Sequence, residues 1–191
     1  GGAGDPDLGQ PAVTTGEAAG DDARATLAFA SSAEQDTERL GAAFARAFEG
    51  DARRALRVGL SGDLGAGKTT FVRGLLRELG VRGPVRSPTY SLVERYPLGE
   101  IEVVHADLYR LESAEALAPL GLDEFDRRGA LWLIEWPEQA GAALPEPDVA
   151  LRIVVEGRTH RIVATAASAA GDAWLARVRA SAPLAAMPGT P

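Results

Sequence analysis

The chain has 191 residues, 46% of them hydrophobic and 25% charged, which is the make-up of one ordinary globular domain with room for tails. There is no cysteine and there are two histidines, so disulfide scaffolds, thiolate zinc sites, cysteine nucleophiles and His-rich metal sites are excluded. The net charge of −7 argues against an autonomous grip on nucleic acid, which needs Lys and Arg facing phosphates. No apolar run reaches the roughly 18 residues of a membrane span. No charged-then-apolar segment opens the sequence, and the expectation is a soluble cytoplasmic protein. Of the 20 basic residues all but one are Arg, and Lys68 is the exception.

Residues 1–24 are rich in Gly, Ala, Pro and Asp and nearly free of large apolar side chains. Such a segment cannot offset its ordering entropy and is expected to be a disordered extension. Residues 182–191 are expected to be a similar flexible tail, which leaves residues 25–181 as the domain. Thr26 to Ala30 alternates Leu27 and Phe29 and predicts a strand. Ser32, with Gln35 three residues on, carries a capping-box signature. The helix it opens places Leu40, Ala43, Phe44, Ala47 and Phe48 on one stripe, and Gly50 is expected to stop it. Leu56 to Leu60 predicts a strand, residues 62–67 a glycine-punctuated loop, and Lys68 to Leu79 a helix ending at Gly80.

Ser91 to Tyr96 and Ile101 to Val104 predict two strands around a turn at Pro97-Leu98-Gly99. Ser113 to Leu117 predicts a short helix. Ala130 to Ile134 is a continuous apolar run, which suits a central strand buried on both faces. Val149 to Val155 and His160 to Ala164 predict a hairpin, and Trp174 and Val178 belong to a last short helix. Strands alternating with helices predict an α/β sandwich.

Gly62-Asp63-Leu64-Gly65-Ala66-Gly67-Lys68-Thr69 matches G-x-x-x-x-G-K-[ST] in full, with a strand before it and a helix after. Glycines let backbone N–H groups curl around phosphate oxygens, and the helix N-terminus faces the same anion. In that chemistry Lys68 reaches the β- and γ-phosphates and the Thr69 hydroxyl ligates Mg²⁺. The alternative is a Gly-rich turn with an incidental lysine. Ala130 to Glu135 has the form of a Walker B strand with Glu in place of the commoner Asp. Glu135 is a candidate to hold Mg²⁺ directly or through water, or to polarise an attacking water; otherwise it is a strand-end residue facing solvent.

Asp107 also follows a strand and is a second candidate for the metal sphere or for positioning water, against a turn-capping role. Thr89, after Ser87-Pro88, has the look of a switch threonine that senses a γ-phosphate, against a plain strand-entry residue. Arg110 and Arg158 are candidate phosphate clamps among many exposed arginines. His105 reads as a packed or hydrogen-bonded side chain rather than a base, and His160 as a surface strand residue. A GTPase is disfavoured, because the guanine-reading [NT]-K-x-D motif needs a second lysine.

Taken together the chain resembles the TsaE (YjeE) family, the small phosphate-loop ATPases of bacterial threonylcarbamoyladenosine synthesis on tRNA. The resemblance is carried by Glu34 to Thr37 with Leu40-Gly41, GDLGAGKTTF from Gly62, Ser87-Pro88-Thr89-Tyr90, HADLYRL from His105, Gly121-Leu122, Ile134 to Glu138 and Leu144-Pro145. It covers about residues 26–166. It implies a P-loop NTPase-type three-layer sandwich with a mixed sheet. It also implies an ATP- and Mg²⁺-dependent hydrolase working with the TsaB and TsaD proteins, which act on the adenosine next to the anticodon. Contact with tRNA is then only indirect.

By the same resemblance Gly65, Ala66, Gly67, Lys68, Thr69 and Thr70 bind the ATP phosphates, and Thr69 and Glu135 ligate Mg²⁺. Thr89 and Asp107 belong to the switch and catalytic neighbourhood, Arg158 lies near the nucleotide, Gln35 or its neighbours approach the adenine, and Trp136 walls the site. The rival readings are a stand-alone small-molecule kinase and a non-catalytic nucleotide-gated adaptor.

Overall fold

The computed structural model describes residues 24–49, 54–88 and 90–181. The expected extension up to residue 23, the stop at Gly50, the tail at 182–191 and Thr89 lie outside the described residues. The described chain forms seven strands: β1 (Thr26–Ser31), β2 (Leu56–Ser61), β3 (Val93–Leu98), β4 (Ile101–Asp107), β5 (Ala130–Glu135), β6 (Val149–Glu156) and β7 (Thr159–Ala166). Three α-helices accompany them: α1 (Glu34–Arg46), α2 (Lys68–Glu78) and α3 (Ala169–Ala180). The strands make one sheet in the order β1-β7-β6-β2-β5-β4-β3. β6, β2, β5 and β4 run parallel, while β3, β7 and β1 are antiparallel to their neighbours, so the sheet is mixed as expected.

Alternation along the strands divides the core in two. Leu131 and Leu133 of β5 face the α-helices with Val58 and Leu60, and pack with Leu40, Phe44, Phe71 and Trp174. Phe44 sits at the centre, edge-on to Phe71 at 5.2 Å and to Trp174 at 5.6 Å. Each such ring or branched side chain contributes roughly 1.5–3 kcal/mol of burial. Ala130, Trp132 and Ile134 face the other way and pack with Val104, Leu117 and Leu122. That third layer is built from 3₁₀ turns at Ala114–Leu120 and Leu122–Phe125 instead of an α-helix. Pro119 sits inside the first of them, and its missing N–H and fixed φ keep the turn from extending into α-helix.

Two local details shape the helices around the phosphate loop. Helices α1 and α2 touch backbone to backbone: a Cβ on Gly74 would lie 2.1 Å from the Glu38 carbonyl oxygen, and one on Gly41 2.1 Å from that of Phe71. Only glycine permits that approach, and it lets α2 pack directly against α1. The start of α1 differs from its predicted cap. Ala33, not Ser32, is the N-cap residue, and the Asp36 carboxylate reaches back to accept from the amides of Ser32 and Ala33, each at 3.1 Å. The acidic group also complements the positive helix end.

Candidate functional site

The site lies at the carboxyl ends of the parallel strands, where ligands of open α/β sheets bind. β2 leads into the loop 62–67, and Gly67 caps α2 with φ of +111°, a conformation that disfavours any side chain. β5 is paired alongside β2 with Leu60 opposite Glu135, and β4 alongside β5 with Asp107 opposite Glu135. The register therefore delivers two carboxylates next to the loop on adjacent strands. The ladder runs on past the strand ends, with the Trp136 amide donating to Leu60 at 3.0 Å and the Leu108 amide to Glu135 at 3.0 Å.

Lys68 is buried and donates from Nζ to the carbonyls of Gly62 at 2.5 Å and Asp63 at 2.9 Å. Its ammonium also lies 4.0 Å from the centre of the Trp136 ring. Burial pushes its pKa below the ordinary lysine value, and the nearby Glu135, Asp107, Glu138 and Asp63 act against that shift. The Thr69 hydroxyl donates to the Glu135 carboxylate, 2.9 Å from each oxygen. Glu135 is 2% exposed, so it is not the solvent-facing strand end that spacing alone allowed. His105 is fully buried and lies 2.8 Å from Glu135 through Nε2, in keeping with a hydrogen-bonded side chain. Asp107 accepts from the Ser87 hydroxyl and, at 3.0 Å, from the Tyr109 amide.

Lys68, Thr69, Glu135, Asp107 and Ser87 line a cleft of about 370 Å³ together with Gly65, Thr70, Tyr109, Arg110 and Trp136. The Tyr109 and Trp136 rings lie 4.8 Å apart and form one wall, as the position of Trp136 implied. A second cleft of about 270 Å³ shares Gly65, Gly67 and Thr70 with the first and extends past Ser31 to Glu34, Thr37 and His160. His160 is thus not a plain surface residue: its Nδ1 donates to the Ala66 carbonyl of the loop at 2.7 Å. The contact spans 94 residues and depends on the strand order, so no local pattern signals it. Ala66 is itself fully buried and offers backbone alone.

Not every expected residue converges. Gln35 is exposed and faces Glu38, Arg73 and Arg86 in a separate hollow, while its neighbours Ser32 to Glu34 line the second cleft. Arg158 is exposed in the tight turn between β6 and β7 and lines neither cleft. Thr89 is not among the described residues. Ser87 and His160 carry contacts that the sequence reading did not assign them.

A glycine loop running from a parallel strand into a helix, with its Lys and Thr beside carboxylates of the next two strands, defines the phosphate-loop class of α/β proteins. Within that class the comparisons are specific. Residues 31–163 match the family described as "Threonylcarbamoyl adenosine biosynthesis protein TsaE". The chain belongs to the TsaE family, whose members are tRNA threonylcarbamoyladenosine biosynthesis proteins.

It is 45% identical over 100 residues to the TsaE protein of Haemophilus influenzae, spanning 52% of this chain and 63% of that one. It is 37% identical over 132 residues to that of Treponema pallidum, spanning 68% of this chain and 94% of the other. The crystal structure of Bacillus subtilis YdiB superposes with a TM-score of 0.64 at 27% identity, covering 82% of this chain and 96% of that one. The resemblance carried by the sequence motifs and the mixed α/β sandwich are both borne out.

Proposed function

We propose that the chain is an ATP hydrolase that works in the cytoplasm with TsaB and TsaD and supports threonylcarbamoyl transfer to the adenosine beside the tRNA anticodon. The observation that carries this reading is the convergence of Lys68, Thr69, Glu135 and Asp107 on one cleft at the phosphate loop. The donor set fits Mg²⁺. It consists of hard oxygens, the Thr69 hydroxyl and the Glu135 carboxylate, with the Asp107 carboxylate on the neighbouring strand. That suits a cation held by one or two side chains together with substrate phosphates. When bound, Mg²⁺ supplies charge neutralisation at the phosphoryl oxygens.

The chain's own groups do the rest. The loop amides and the α2 N-terminus bind phosphate oxygens, and Lys68 adds a buried cation beside them. Glu135, anchored between Thr69 and His105, orients the Thr69 hydroxyl toward the cleft. Asp107 is held from two sides by Ser87 and the Tyr109 amide, and its fixed carboxylate is suited to accept a hydrogen bond from the attacking water. Tyr109 and Trp136 form an aromatic wall on one side of the cleft. Thr89, between Pro88 and the exposed Tyr90, keeps the switch role its motif implies. Gln35 and Arg158 gain no support from the clefts, and Ser32 to Glu34 are the better candidates to meet the base.

The test is ATP turnover by the purified chain, alone, with TsaB and TsaD, and with small-molecule acceptors. Turnover that rises several-fold with the two proteins supports the reading. Turnover that needs an acceptor and ignores the proteins points to a kinase, and binding with no turnover in any mixture points to a nucleotide-gated adaptor.

A further inference from the structure

We infer that His105 is a positioning residue: its Nε2–H is the fixed hydrogen bond that holds the Glu135 carboxylate in register with Thr69. The inference rests on the reading of Glu135 as a cation-binding carboxylate. β4 and β5 pair in parallel with His105 opposite Leu133, two residues before the Asp107–Glu135 pair. This places the imidazole on the same sheet face as both carboxylates. The ring has no solvent exposure and lies 2.8 Å from Glu135 Oε1. Its other nitrogen, Nδ1, is buried with no hydrogen-bond partner.

That asymmetry assigns the proton. A carboxylate oxygen accepts, so Nε2 must donate, and a proton on Nδ1 would be an orphaned buried donor. The terminal torsion of a Glu side chain is soft and two-fold, so a carboxylate with one labile partner would turn. Thr69 is a labile partner, since its hydroxyl lines the cleft and rotates. His105 is walled off behind Glu135 and meets no cleft contents. It therefore plays the part that outer partners play for ligating groups: it fixes orientation without touching substrate.

The experiment compares His105→Leu, which removes the donor, with His105→Gln, whose amide nitrogen can stand where Nε2 stands. Calorimetry of ATP binding to the full chain at graded Mg²⁺ gives the cation dependence, and turnover with TsaB and TsaD gives kcat and KM separately. His105→Leu is expected to raise the Mg²⁺ concentration for half-maximal binding and to lower kcat, each by about 10–100-fold. KM for Mg-ATP is expected to rise in step with the Mg²⁺ requirement, because cation and nucleotide bind as linked ligands, and His105→Gln to recover most of both losses.

Leu and Gln variants impaired equally, in step with lost thermal stability, would make the histidine a packing residue and overturn the proposal. So would an unaltered Leu variant. Should the Leu variant not fold, His105→Asn replaces it, with an amide too short to reach Glu135; Asn equal to Gln overturns the proposal and Asn impaired beside an active Gln upholds it. An unmutated chain that does not bind Mg-ATP at all defeats the ATPase reading itself, which separates the two failures.

Discussion

Two buried carboxylates sit at opposite ends of the parallel strands, and they are occupied very differently. Asp148, just before β6, is 1% exposed and accepts from both guanidinium nitrogens of Arg54, at 2.6 and 2.9 Å. It also accepts from the Ser168 hydroxyl at 2.5 Å and the Arg57 amide at 2.9 Å. Its backbone is bonded to Arg57 and Ala167 as well. Glu135 is equally buried, but its hydrogen-bond partners among the described residues are a hydroxyl and an imidazole, and its other side is a cleft with a lysine across it. A carboxylate with every lone pair taken and a cation attached ties elements together. One left short of a cation at the mouth of a cleft has capacity for a ligand. Burial and residue type do not distinguish the two; the partner set does.

The contrast can be broken at either end. Lys68→Ala carries the largest expected effect: saturable Mg-ATP binding disappears while the unfolding curve shifts little, checked by calorimetry beside urea denaturation. Glu135→Gln follows. ATP turnover with TsaB and TsaD falls on the order of 10²–10³-fold, and stability moves by less than about 1 kcal/mol. Asp148→Asn reverses that pattern. It lowers unfolding free energy by about 1–3 kcal/mol, read from the urea midpoint, and leaves Mg-ATP affinity unchanged below the transition.

The same residue has a pH signature. Burial pushes the Asp148 carboxyl up, but hydrogen bonds from Arg54, Ser168 and the Arg57 amide outweigh it and hold the pKa below the ordinary 3.8. A depressed folded value means that the contribution is full above the unfolded pKa and is lost as pH falls through the folded one. Stability of the unmutated chain should drop in acid below about pH 5, and Asp148→Asn should flatten that limb. The smallest effect is Ser168→Ala. It removes one donor to Asp148 and the α3 cap, whose hydroxyl accepts from the Gly171 amide at 3.1 Å, and should cost about 1 kcal/mol in the same urea assay.

Much of the site was legible because its signals are local. The phosphate loop lies within eight consecutive residues, and the apolar run of β5 ends directly on Glu135. Among the described residues the strands and the first two α-helices lie within a few residues of where the sequence places them, while Trp174 and Val178 mark the last helix without bounding it. What escaped has no local signal. The contact of Ser87 with Asp107 spans 20 residues, and that of His160 with the loop spans the strand order itself. The start of α1 lies one residue on, at an Ala33 N-cap, where the Asp36 carboxylate reaches back to the amides of Ser32 and Ala33. The 3₁₀ layer was read as a short helix at Ser113 to Leu117. A run that short has no 3.6-residue stripe to tell one helix type from another.

The most direct test of the account is a paired measurement on Glu135→Gln and the unmutated chain: Mg-ATP affinity by calorimetry and ATP turnover with TsaB and TsaD present. The account predicts saturable Mg-ATP binding by both, weaker in Glu135→Gln, and turnover in the unmutated chain only. Equal turnover by the two proteins would contradict it, because the carboxylate that distinguishes this end of the sheet would then be dispensable.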